Sequence, residues 1–73
     1  MSERQQINYA KLRGRMVEKF GTIEKTAEAA GLRRDMISLA LNGKRQFTQA
    51  DILALARVLE IEDEEIGAYF FKT

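Results

Sequence analysis

The 73-residue chain contains no cysteine, no histidine, no proline and no tryptophan. Without cysteine there is no disulfide framework. Without cysteine or histidine the usual zinc site is closed as well, so a domain near the lower size limit must be held by apolar packing alone. The missing cysteine also fits a reducing compartment. No apolar run approaches the ~20 residues of a membrane span, and the opening MSERQQINYA is polar and lacks a signal-peptide core. A soluble, cytoplasmic protein with no membrane partner is expected. Catalysis finds no support either: there is no histidine- or cysteine-based nucleophile system and no G-x-x-x-x-G-K-[ST] loop. The run Glu62, Asp63, Glu64, Glu65 reads as a helix start and not as a metal site. The sequence therefore predicts no enzyme, no cofactor, no metal and no small-molecule ligand.

The absence of proline, with five scattered glycines, predicts helices joined by tight turns in one all-α domain spanning residues 1–73, without linker, repeat or low-complexity segment. Five helices are expected. The first runs from about Tyr9 to Phe20 after an Asn8 cap, with Leu12, Met16 and Phe20 on one face, and ends at Gly21. Thr22 caps a second helix through Ala30, Gly31 turns the chain, and a third helix runs from about Arg33 to Asn42 before Gly43. Thr48 opens the fourth as a capping box with Asp51; Ile52, Leu55, Ala56 and Leu59 form its stripe, and it ends near Glu60. The fifth begins at Glu62 or Asp63 and reaches about Phe70.

Ala27, Gly31 and Ile37 carry the spacing by which two short helices cross in a helix-turn-helix, here at about residues 22–42. A small residue lets the helices approach, a glycine takes the left-handed turn, and a branched residue fills the angle. On the third helix Ile37, Ala40 and Leu41 point inward. Arg34, Asp35, Ser38 and Leu39 are left outside, with Arg33 at the start. The direct expectation is duplex DNA, with this face in the major groove: Arg33 and Arg34 on guanine edges, Asp35 on a cytosine amine or steering an arginine, Ser38 beside them. Leu39 reads equally well as a contact to a thymine methyl or as partial core. Lys44 and Arg45, just after Asn42 and Gly43, are candidate phosphate contacts, as are Thr22 and the start of the second helix with Lys25.

Charge is unevenly distributed. Residues 1–47 carry a net +5 and residues 48–73 a net −4, within a total of +1. A basic DNA-facing part and an acidic solvent- or partner-facing part would look this way. The competing class is a protein-interaction module, for example an antitoxin or a regulator of a phage repressor, whose contact would be the apolar end Ile66, Tyr69, Phe70, Phe71. Ile66, Tyr69 and Phe70 at i, i+3 and i+4 also read as core, leaving Phe71 as core or as a dimer surface.

The pattern KLRGRMVEKFGT, LNGKRQFTQADI and a closing IGAYFF, over Tyr9 to Phe71, resembles the phage-repressor-like helix-turn-helix proteins of the Cro/C1 or Xre type, and among them short phage and prophage proteins. The resemblance implies a five-helix, lambda-repressor-like fold whose second and third helices bind DNA. It implies a transcriptional repressor acting as a dimer on a palindromic operator, in a bacterial cytoplasm and on the nucleoid when bound. By position it makes Arg34, Asp35 and Leu39 base readers and places Asn42 and Lys44 near phosphates. Two positions depart from the family pattern. Ile23 stands where a phosphate-touching glutamine is common, and Thr26 stands where a large apolar residue precedes the alanine.

Overall fold

A computed structural model describes residues Tyr9 to Phe71. Five α-helices follow one another: α1 (Ala10–Phe20), α2 (Ile23–Ala30), α3 (Arg34–Leu41), α4 (Gln49–Leu59) and α5 (Ile66–Phe70), with a 3-10 turn at Asp63–Glu65 before the last. Among the described residues there is no strand. The all-α, five-helix expectation holds.

Each boundary has a local cause. The Asn8 cap proposed for α1 lies outside the described residues; the residue in the cap position is Tyr9, left-handed at φ 54 and without a side-chain cap bond. What fixes Tyr9 is its ring, which meets Phe47 edge-on at 5.3 Å. Partial burial there raises the phenol above its ordinary pKa. Thr22 caps α2 as expected, its Oγ1 accepting from the Lys25 N–H at 3.1 Å. Gly31, at φ 73, lets the Leu32 N–H return to the Ala27 carbonyl at 2.9 Å, closing the helix and turning the chain in one residue. Arg33 is the extended cap of α3 and not its first helical residue, and Asn42 is its C-terminal cap. At α4, Thr48 Oγ1 accepts from the Asp51 N–H and Asp51 Oδ2 from the Thr48 N–H, both at 3.1 Å, so the capping box forms in full. The fifth helix is shorter than expected. Its acidic opening winds as a 3-10 turn, with the Glu65 N–H on the Glu62 carbonyl at 2.8 Å, and only Ile66 onward is α-helical.

The core joins all five helices: Leu12 and Met16, Ala27 and Ala30, Ile37 and Leu41, Ile52, Leu55, Ala56 and Leu59, then Ile61 and Phe70. Thr26 is fully buried among them. Its hydroxyl donates to the Thr22 carbonyl at 2.9 Å, so a polar atom sits in an apolar position without an unsatisfied bond. Ile23, the other departure, packs half-buried against the same core. Phe47 bridges Tyr9 and Phe70, meeting the latter at 5.4 Å, and ties the α3–α4 connection to both ends of the described chain.

Candidate functional site

Two surfaces stand out, the outer face of α3 and a groove between α4 and α5. On α3, Arg34, Asp35, Met36 and Leu39 are exposed and Ser38 is half-buried, with Arg33 exposed at the cap. Leu39 is 43% exposed, which settles its sequence ambiguity toward the surface. Arg33 and Asp35 face each other through two hydrogen bonds, Nε to Oδ1 at 3.3 Å and Nη2 to Oδ2 at 3.2 Å. The hydrogen bond and charge of Arg33 hold the Asp35 carboxyl below the ordinary carboxylate range, helped by the Met36 N–H donating to Asp35 Oδ1 at 3.0 Å.

The basic half is less free than its sequence suggests. Arg13 Nη2 donates to the Leu41 carbonyl at 3.2 Å and to Asn42 Oδ1 at 3.1 Å, closing the C-terminus of α3. Arg15 Nε does the same for α4, on the Leu59 carbonyl at 2.9 Å. Lys19 pairs with Glu60 at 2.8 Å. Arg45 turns inward, with Nη1 donating to the Met36 carbonyl at 3.3 Å and to Asp51 Oδ2 at 3.2 Å. Lys11 lies 5.0 Å from the centre of the Tyr69 ring. Among the described cations before Thr48, Lys25, Arg34 and Lys44 alone are left exposed without such a partner. Of the residues expected on DNA, Asn42 and Arg45 thus serve as braces between elements, Thr22 caps α2, and Arg33 and Asp35 hold each other.

The second surface is apolar. Leu53 and Phe71 are 55% and 61% exposed, among the most exposed large apolar side chains described. With Phe47, Gln49, Ile52 and Ile66 they line a groove of about 400 Å³. Of the expected apolar end, Phe70 is core, Ile66 and Tyr69 are half-buried against it, and Phe71 is outside. Directly before Ile66 come Glu62, Asp63, Glu64 and Glu65, all exposed and with no ion pair among the described residues. On α4, Arg57 is exposed one turn beyond Leu53. Leu53 and Phe47 were not singled out from the sequence. Leu53 sits inside the apolar run of α4, where periodicity alone does not separate groove from core, and Phe47 sits in a connection with no periodicity to read.

The family described as "Protein of unknown function (DUF739)" matches residues 6–73. Among solved structures the fold is similar to the solution structure of the modulator of repression of the temperate bacteriophage TP901-1 from Lactococcus lactis. The TM-score is 0.77 at 38% identity, over 89% of this chain and 88% of that one. No curated protein matches. These findings correct the expectation of a DNA-binding Cro/C1 or Xre repressor. The similar protein is a modulator of repression, and most of the described cations before Thr48 are engaged within the fold. The coarser likeness, to a short helical protein of phage, is the part the comparisons carry.

Proposed function

Because the chain belongs to the family described as "Protein of unknown function (DUF739)", we propose that it is a regulator of a phage repressor, acting through contact with protein and not with the operator. The observation that carries this reading is the 38% identity to a phage modulator of repression over nearly the whole of both chains. Two physical features support it. Large apolar side chains stand exposed beside one another at the α4–α5 groove, a pattern of protein contacts. An acidic second half is unfavourable beside a phosphate backbone and suits a protein partner.

The regulator works without catalysis, in the bacterial cytoplasm where repressor and operator meet. Among the described residues no helix is long and apolar enough to cross a membrane. A reporter transcribed from the operator of the same phage or prophage tests the reading. With the cognate repressor present, expressing the chain changes reporter output; with no repressor, it leaves output unchanged. An effect of the chain in the absence of the repressor overturns it.

A further inference from the structure

The groove between α4 and α5 has a chemistry that selects its occupant. Its floor and walls are apolar: Phe47, Ile52, Leu53, Ile66 and Phe71, with Gln49 as the polar residue lining it. Its 400 Å³ or so has room for one or two large side chains and not for a folded loop. One edge runs directly into four exposed carboxylates, Glu62 to Glu65, while α4 (Gln49–Leu59) offers one exposed cation, Arg57. A second copy of this chain docking by two-fold symmetry would bring the same excess of negative charge to its side of the contact. Two copies bring eight carboxylates to the contact against two Arg57 guanidiniums, so most of the acidic edge would find no opposite charge, which disfavours the contact wherever the partner can instead be positive.

We propose that this groove seats an amphipathic basic helix of a partner protein, with apolar side chains between Leu53 and Phe71 and lysine or arginine beside Glu62–Glu65. The proposal rests on the protein-binding reading above and names the partner's chemistry. Anchoring by a few apolar side chains supplies affinity, while the carboxylates supply orientation and rate.

The test uses the full chain, isotopically labelled, and two synthetic helix-forming peptides with the same leucine stripe, one flanked by lysine and one by glutamate. The lysine peptide is expected to bind at least about tenfold more tightly, with affinity falling as salt rises from about 0.05 to about 0.2 M. Its shift changes should centre on Leu53, Ile66 and Phe71. Leu53→Ser and Phe71→Ser should each weaken it about tenfold or more while leaving circular dichroism unchanged, since both side chains are already largely outside the core. Equal binding of the two peptides, no binding of the lysine peptide, or shift changes centred on α3 would overturn the proposal. So would self-association of the unliganded chain that Phe71→Ser abolishes, because a second copy would then be the occupant. The repressor-dependent reporter separates the two readings. A wild-type effect untouched by Leu53→Ser and Phe71→Ser overturns the groove assignment alone; no wild-type effect overturns the function, whatever the peptides do.

Discussion

Replacing Asp51 by alanine should be far more damaging than its position at a helix start suggests. One carboxylate oxygen, Oδ2, accepts from the Thr48 N–H at 3.1 Å and from Arg45 Nη1 at 3.2 Å. It therefore closes the N-terminus of α4 and anchors the arginine that also holds the Met36 carbonyl of α3. Loss of the reciprocal half of a capping box costs about 1 kcal/mol. The ion pair is better placed than a surface one, at 24% and 16% side-chain exposure, so leaving the guanidinium without its partner adds about 1 kcal/mol or more. The total of about 2 kcal/mol corresponds to a fall in Tm of about 8–16 °C in a domain of this size. Thr48→Ala removes only the hydroxyl that accepts from the Asp51 N–H and should cost about half as much. Thermal melting by circular dichroism of the two variants decides the matter. Equal costs would refute the argument, because Arg45 would then contribute nothing at the α3–α4 junction and would be available for surface chemistry after all.

Other outcomes follow from the same geometry. Gly31→Ala has open space around it but sits at φ 73, so it should cost about 1–2 kcal/mol in chemical denaturation. Gly14→Ala, helical and equally open, should stabilise by about 0.5–1 kcal/mol. Phe70→Ala empties the core at the junction with Phe47 and should cost about 3–5 kcal/mol by the same assay, whereas Phe71→Ser should leave the unfolding midpoint nearly unchanged. In an NMR titration the Asp35 carboxyl should ionise below the ordinary aspartate range, and Arg33→Ala should move it upward. The sign for stability follows from that depression. The pair's contribution is present above the unfolded-state pKa and is lost as pH falls through the lower folded value.

The sequence exposed the helices because their punctuation is chemical and local. Thr22, Gly31, Thr48 with Asp51, and Gly21 each act within four residues, and the structure places each where spacing predicts it. Leu12, Met16, Ile37, Leu55 and Phe70 were legible as core for the same reason, through periodicity on one face. The candidate surface was harder to read. Arg13, Arg15 and Arg45 look like solvent-facing charge in a linear sequence, yet each reaches across the fold to a carbonyl or carboxylate from 6 to 44 residues away. That long-range engagement thins the basic face on which a DNA-binding expectation depended. The groove was half visible, because Phe71 is surplus to the i, i+3, i+4 pattern of Ile66, Tyr69 and Phe70. Leu53 and Phe47 complete it only once α4 and α5 are packed. A helix-turn-helix spacing describes how two helices cross, and that geometry carries no statement about what the outer face touches.

The most direct test of a regulator that works on the repressor and not on DNA is fluorescence anisotropy of a labelled operator duplex from the same phage, titrated with the purified chain in the presence and absence of its repressor. The chain alone should leave the duplex at its free anisotropy at low salt, while it shifts the concentration of repressor needed for half-saturation. A rise in anisotropy with the chain alone, dependent on operator sequence and weakening steeply with salt, would contradict it.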